Sequence, residues 1–415
     1  MRRSRFTFSR INDRSLHVNI LGVETSCDET SVAVVADGHH VLSNLVASQI
    51  AKHAFYGGVI PELAAREHLN AISPMAAAAL DEAKLAATDI EAVAVTCSPG
   101  LLPALLVGLS YAKGLAAALE VPLVGVNHIL GHVFGAVIDH VDTVRDSHAY
   151  PLLALIVSGG HTLLIEIRAN GRCRIRGRTL DDAAGEAFDK TARVLNLGYP
   201  GGPVIDRLAA TGDRSAFEFP MGLSGGGGAP LSPENRFNFS FSGIKTAVLY
   251  HVRKQAVPKS RTTSSEWHPL TPDVLPPAPV GGAGGNSDAD KDCLNIGMPV
   301  ATLRDTAASF QEAVVEILVR KTMWAAHDSA AKTVLLGGGV ACNSRLRERM
   351  AAAADEAGIP LRTATPAYCL DNAAMIGGLA WYMLRHESES PLDIDAQARL
   401  GALDSAPFAP EYERL

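Results

Sequence analysis

Residues 17–37 read HVNILGVETSCDETSVAVVAD. HVNILGVET predicts a strand entering a turn, and TSVAVVAD predicts its hairpin partner. The same grammar returns in YPLLALIVSGGHTLLIEIR, Tyr150 to Arg168, as two strands around a Gly-Gly turn. Behind the first hairpin, Pro61 to Leu85 predicts a helix broken near Pro74, EAVAVTCSPG a strand, Leu101 to Glu120 an apolar helix and PLVGVNH a short strand. Ile129 to Asp139 reads as helical, and the polar stretch His140 to Tyr150 as a boundary. Behind the second hairpin, Ala184 to Gly198 reads as a helix with Gly198 as its stop. FNFSFSGIKTAVLYHVRK passes from an alternating strand to a helix, and Leu303 to His327 is a long amphipathic helix. KTVLLGGGVACNSRLRERM reads as strand, glycine turn and helix, IPLRTATP as a last strand, and DNAAMIGGLAWYML as a last helix.

Strands and helices thus alternate in two broadly similar halves, which predicts an α/β protein with two lobes. No short-period repeat is present. The expected division is an unordered extension over 1–17, a first lobe over 18–145 completed by a C-terminal helix at about 368–400, and a second lobe over 146–367. Two stretches rich in Pro, Gly and Ser, about 221–236 and 257–292, read as flexible surface insertions.

Composition narrows the function classes. The chain has 415 residues, 47% of them hydrophobic and 20% charged, ample for a large core. A formal net charge of −7 means that the surface as a whole is not built to attract polyanions, so a nucleic-acid role needs a local basic patch or a partner. Cys27, Cys97, Cys173, Cys293, Cys342 and Cys369 lie far apart without a C-x-x-C pair. This argues against a disulfide scaffold and a cysteine zinc site, and for a reducing compartment. The most apolar stretch, Leu101 to Gly125, is interrupted by Ser110, Lys113 and Glu120, so no membrane span is expected. The start, MRRSRFTFSRINDR, has no apolar core and reads as a bacterial extension, with a transit peptide as the alternative. The expected location is the cytoplasm, or an organelle under that alternative.

Three groups of residues suggest chemistry. His128 and His132 in VNHILGHVF are four apart, so on a helix they share a face, which suits two imidazoles on one metal ion. The alternative is two unrelated histidines. Ile129 stands where a zincin protease needs its glutamate base. Asp371 in CLDNAAMIG stands at a strand-to-helix turn, as a third ligand or as the helix cap, with Asn372 the other candidate cap. ILGVETSCDET, LIVSGGHT and LLGGGVACN each combine an apolar strand with glycine, and exposed amides at such turns suit phosphate groups. None is a Walker loop or a dinucleotide fingerprint. Two such lobes resemble the actin, Hsp70 and sugar-kinase superfamily, in which a nucleotide lies between the lobes. In DDAAGEAFDKTARVLNLGYPGGPVIDRLA, Asp189 and Asp206 read either as acceptors for sugar hydroxyls or as surface charge, with a Tyr-Pro-Gly-Gly turn between them.

Taken together and in order, GVETSCDETSVAVV, YGGVIPELAAREH, SPGLLPALLVGLSYAKGLA, NHILGH, LIVSGGHT, DDAAGEAFDKTARVLNLGYPGGP, FSFSGIKTAV, GGGVACNSRLR and CLDNAAMI resemble the TsaD/Gcp family over about Ile20 to Leu384, the two insertions apart. The resemblance implies the two-lobed actin-like fold. It also implies transfer of a threonylcarbamoyl group from threonylcarbamoyl-AMP to N6 of adenosine 37 in tRNAs that read codons starting with A, with release of AMP. The implied metal ligands are His128, His132 and Asp371, holding iron(II) or alternatively zinc. Ile156, Val157, Ser158, Gly159 and Gly160 match a substrate loop, and Asp189, Gly202, Asp206 and Asn343 match further substrate contacts. Asp28 and Glu29 match acidic positions that the family needs for activity. The implied partners are a TsaB-like paralogue, a TsaE-like ATPase and a tRNA anticodon loop bound weakly by this chain alone. Asn127 departs from the family, which commonly carries a second histidine there, and the longer insertion and the arginine-rich start are extra. Two rival readings share the fold: an ATP-dependent phosphotransferase of the sugar-kinase type, and a non-enzymatic nucleotide-binding assembly module. Neither gives His128 and His132 a task.

Overall fold

A computed structural model describes residues 17–223, 232–255, 298–386, 388–401, 403 and 405–411. The arginine-rich start up to residue 16, the heart of the shorter insertion (224–231) and all of the longer one (257–292) lie outside the described residues.

Two five-stranded sheets carry the fold. The first holds β1 (Asn19–Glu24), β2 (Glu29–Ala36), β3 (His40–Ser48), β4 (Ala92–Ser98) and β5 (Leu123–Asn127), in the order β3-β2-β1-β4-β5. The second holds β6 (Leu152–Val157), β7 (Thr162–Ile167), β8 (Cys173–Arg178), β9 (Thr333–Gly337) and β10 (Leu361–Thr363), in the order β10-β9-β6-β7-β8. In each sheet the first three strands form an antiparallel meander, and the last two run parallel to the first. The halves therefore share one topology. The edge strands β3 and β8 were not legible in the sequence, because each is half-exposed and shows little contrast between its faces.

The helices of the first half are α1 (Ile50–Ala54), α2 (Pro61–Ala83), α3 (Leu102–Leu119), α4 (His128–Gly135) and α5 (Val141–Arg145). Those of the second half are α6 (Ala184–Val194), α7 (Gly201–Ala209), α8 (Ser242–Gln255), α9 (Val300–Asp328), α10 (Ser344–Glu356), α11 (Pro366–Cys369) and α12 (Ala373–Arg385). The helix α2 runs unbroken through Pro74. Both Pro74 and Asn70, whose carbonyl loses its partner, face solvent, so water can satisfy that group. The stretch read as a polar boundary is mostly helical: α5 is followed by a 3-10 turn, Ser147–Ala149. At the end of α6 it is Asn196, at φ 56°, that takes the left-handed turn, and Gly198 follows two residues later. The expected strand in FNFSFS reduces to one bridge between Thr179 and Phe239. The helix α3 is long and apolar enough to cross a membrane by length and composition, contrary to the sequence reading. Here it packs against β4 and α2 as a core helix.

Two equivalent helices change sides. The helix α4, which follows β5, touches β9 and β6 of the second sheet, whereas α12, which follows β10, covers β1, β2, β4 and β5 of the first. They pack against each other, with the rings of Phe134 and Tyr382 5.4 Å apart. Gly22 makes the α12 contact with β1 possible. It lies inside β1 rather than in a phosphate-binding turn as the sequence suggested, and a β-carbon there would stand 2.4 Å from the Ala373 carbonyl oxygen.

Candidate metal centre and its surroundings

The crossing of α4 and α12 decides where the histidines meet their third partner. Asn127 caps α4, its Oδ1 accepting from the amides of Ile129 and Leu130, so His128 opens the helix and His132 follows one turn on. Their rings are 4.6 Å apart at 76°. At the start of α12 the cap is Asn372, whose side chain accepts from the Met375 amide. That leaves the Asp371 carboxylate free to face the histidines, with Oδ1 3.1 Å from His132 Nε2 and 3.6 Å from His128 Nε2. One ligand atom from each of the three residues lies within 4.8 Å of the others.

This arrangement fits a divalent cation. His132 is fully buried, yet neither of its ring nitrogens makes a well-aligned hydrogen bond. A buried, unpaired imidazole nitrogen costs about 1–3 kcal/mol unless something binds it. On His128, Nδ1 is held by Glu24 Oε2 at 3.0 Å and leaves Nε2 for a ligand, the arrangement in which a carboxylate orients a metal-binding imidazole. Glu24 has no exposed surface and is fixed by Thr96 Oγ1, which donates to Oε2, and by the Ser26 amide, which donates to Oε1. Burial opposes charge on His128, but the carboxylates of Asp371 and Glu24 outweigh it and raise its pKa to about 9. Asp371 is itself displaced below the usual carboxylate range: burial opposes its charge, and the two histidines more than offset that. Sequence reading missed Glu24. Its signal was a carboxylate at the end of an otherwise apolar strand, which is costly unless a partner waits for it.

Beside the triad lies the turn after β1. Asp28 is buried and Glu29 partly so, and they hydrogen-bond to each other. Burial, followed by the negative charges of Asp371 and Asp28, pushes the Glu29 carboxyl up to about 9. Glu29 therefore carries a proton at neutral pH. The buried His68, another residue the sequence reading passed over, anchors this turn through Nε2 to the Cys27 carbonyl and Nδ1 to Thr30 Oγ1.

The loop after β6 lies on the other flank, with the His161 ring 6.4 Å from that of His128. Ile156 and Val157 sit in β6 with fully buried side chains, so they can offer a ligand only backbone. Ser158 closes the turn, its amide donating to the His161 carbonyl and its Oγ accepting from the His161 amide. Gly159 and Gly160 are exposed, with open space where side chains would stand. The first turn of α6 abuts this loop at Gly185, so helix amides and loop amides share one place. Gly338, at φ 90°, presses against the Val157 carbonyl and brings the β9 turn alongside.

Comparison with known proteins shows the family. The family profile TsaD, tRNA N6-adenosine threonylcarbamoyltransferase, matches residues 40–378. A protein of that name from Syntrophotalea carbinolica is 45% identical over 379 residues, 91% of this chain and 95% of that one. Another from Trichlorobacter lovleyi is 46% identical, with the same shares of both chains covered. The chain belongs to the TsaD family of tRNA N6-adenosine threonylcarbamoyltransferases. It is thus a transferase of tRNA modification, and the sugar-kinase and assembly-module readings fall away. Full-length HypF in its phosphate- and nucleotide-bound form superposes with a TM-score of 0.50 at 12% identity, over 90% of this chain and 47% of that one, a likeness of fold.

The remaining positions that the TsaD resemblance singled out fall into two places. Asp189 Oδ1 accepts from the Gly201 amide at 2.7 Å and lines a cavity of about 40 Å³ with Ala54, Gly57, Arg193 and Tyr199. Asp28 acts on both Asp189 and Tyr199 by charge, which ties this cavity to the turn after β1. Gly202, in the first turn of α7, has open space beside it. Asp206 and Asn343 meet at the start of α10. Asp206 accepts from the Ser344 amide and hydroxyl, while Asn343 caps the helix at the Leu346 amide and donates to Gln311 Oε1. Asn127, where the family commonly has a histidine, is engaged as the α4 cap and donates to Ser98.

Proposed function

We propose that this TsaD-family chain transfers the threonylcarbamoyl group of threonylcarbamoyl-AMP to N6 of adenosine 37 in tRNAs that read codons beginning with A, releasing AMP. The observation that carries this reading is the convergence of His128, His132 and Asp371 beside the Asp28–Glu29 pair. The N6 amine is a weak nucleophile, because its lone pair is delocalised into the purine, so the site must hold both reactants in line and activate the carbonyl. His128, His132 and Asp371 would hold iron(II), with zinc as the alternative, and such an ion would supply Lewis-acid polarisation of the carbamoyl or threonyl oxygens. Glu24 keeps His128 turned toward that position. The amides of Ser158 to Gly160 and of the first turn of α6 would take the AMP phosphate. Asp189, Gly202, Asp206 and Asn343 would complete the substrate site. Glu29 keeps its proton and donates a hydrogen bond that orients the Asp28 carboxylate, which would accept the proton leaving the attacking amine as AMP departs.

Adenosine 37 lies in a single-stranded loop, so its base is reachable without opening a duplex. The two lobes, 18–145 with about 368–400 and 146–367, would close on the adenylate from either side. A TsaB-like paralogue and a TsaE-like ATPase would assist, with the cytoplasm as the setting.

Reconstitution tests the proposal. The chain is mixed with these partners, unmodified tRNA and threonylcarbamoyl-adenylate, and the digested RNA is examined by mass spectrometry. Threonylcarbamoyl-adenosine from the wild type, and none from His128→Ala or Asp371→Ala, is the expected result. Product undiminished in both variants would overturn the role given to the triad, and no product from any correctly assembled mixture would overturn the transfer itself.

A further inference from the structure

Two cysteines that the transfer reading leaves idle meet beside the metal centre. Cys342 ends the 3-10 turn Gly339–Cys342 after β9 and is exposed, whereas Cys369 ends α11 and is buried. The turn Gly339–Cys342 and the short helix α11 pack side by side, and both thiols are free. Arg347 of α10 knits the two segments together: Nε donates to the Ala341 carbonyl at 2.6 Å, and Nη2 donates to the Ala364 carbonyl at 2.7 Å and to Cys369 Sγ at 3.2 Å. Leu370 lies over Gly339, so the segments also touch through their neighbours.

We propose that Cys342 and Cys369 form an oxidisable dithiol, whose disulfide pins the β9 glycine turn to the residues leading into Asp371. The chemistry needs a hydroperoxide as oxidant. The exposed Cys342 thiolate attacks the peroxide oxygen, giving a sulfenic acid and, for hydrogen peroxide, water. The Cys369 sulfur then attacks the Cys342 sulfur, the S–S bond forms and a second water leaves, so two thiols lose two electrons and two protons to one peroxide. The contact with Cys369, followed by the Arg347 charge, lowers the Cys342 thiol to about 6 despite its partial burial, which favours it as the first nucleophile. Burial pushes Cys27 and Cys97 the other way, so they serve as internal controls.

A disulfide is about 2.05 Å long, shorter than any thiol–thiol contact, so closing it draws the two segments together. Asn343 follows Cys342 directly, and Asp371 stands two residues beyond Cys369. A shift there reaches the site, and this consequence, unlike the disulfide itself, rests on the transfer reading. The pair differs from a structural disulfide in that it is closed only under oxidant and reopened by thiol.

The full chain is treated with hydrogen peroxide, alkylated without reduction, digested and mapped by mass spectrometry. The expected result is a joined Cys342–Cys369 peptide pair, lower in mass by two hydrogens, that dithiothreitol separates. Before oxidation, Cys342 is expected to alkylate about five- to tenfold faster than Cys97 at pH 7, once the lower nucleophilicity of a more acidic thiol is allowed for. Recovery of Cys342 as sulfinic acid with Cys369 still alkylated would overturn the pairing. With the peroxide removed and fresh metal added back before the assay, so that oxidation of iron(II) at the triad does not count, peroxide-treated wild type should run about tenfold or more slower in the reconstituted reaction and recover with thiol, because small displacements at a reacting centre are costly. Cys342→Ser should keep its rate through the same treatment, and equal loss in this variant would overturn the link to the site. If no preparation transfers at all, the joined peptide still decides the thiol chemistry by itself.

Discussion

Burial pushes the Asp189 carboxyl up to about 6, the donating Gly201 amide partly offsets this, and the Asp28 charge adds to it. A folded-state pKa above the unfolded value of 3.8 means that the folded chain binds this proton more tightly. Stability is then lost as pH rises from about 4 to 6, and the penalty is complete above 6. Asp189→Asn should therefore be more stable than the wild type at pH 7, by about 1–2 kcal/mol after screening, with the difference gone below pH 4. Denaturant curves at the two pH values measure this, and coincident curves at pH 7 would count against it. The Asp28–Glu29 pair permits a sharper contrast. Glu29 already holds a proton, so Glu29→Gln should keep much of the transfer rate, whereas Asp28→Asn should lose about a hundredfold or more. Single-turnover rates decide, and equal losses would remove the division of roles. Glu24→Gln leaves His128 less firmly turned, and metal titration of the otherwise folded chain should show affinity lower by about 10- to 100-fold. Unchanged affinity would reduce Glu24 to a core residue.

The crossing of α4 and α12 is what carries the three candidate ligands His128, His132 and Asp371 from two halves to one point. That crossing depends on α12 lying directly on the β1 backbone at Gly22. In Gly22→Ala the new methyl has no flexible neighbour to displace, since the Ala373 carbonyl and the Gly377 amide are both backbone. The variant should lose about 3 kcal/mol or more, together with its metal affinity, because helix and strand must separate. Thermal unfolding with a parallel metal titration tests this, and a wild-type midpoint would show that α12 can ride outward freely. The helices and inner strands themselves were largely legible, because their apolar periodicity is local. Pro74 misled because propensity does not reveal which face of a helix meets water. The edge strands β3 and β8 were missed because their pairing, and not their composition, makes them strands.

On the scale of the whole molecule, a net charge of −7 opposes the approach of tRNA. The isolated chain should bind tRNA weakly, with Kd about 10⁻⁵ M or above at physiological salt and a further loss as salt rises. Filter binding or anisotropy measures this, and a tight complex that survives high salt would contradict it. The sequence by itself determined the two-lobed α/β plan and, through strings such as NHILGH and CLDNAAMI, the family. It left open whether Asp371 was a cap or a ligand. The structure has Asn372 cap α12, and helix crossing brings Asp371 to His132. It also gave Glu24 its partner and turned Gly22 from a loop residue into a packing contact. Periodicity and capping act within a few residues along the chain, so sequence can show them. Which distant carboxylate meets which imidazole depends on how two sheets and their exchanged helices pack, and only the tertiary structure decided that.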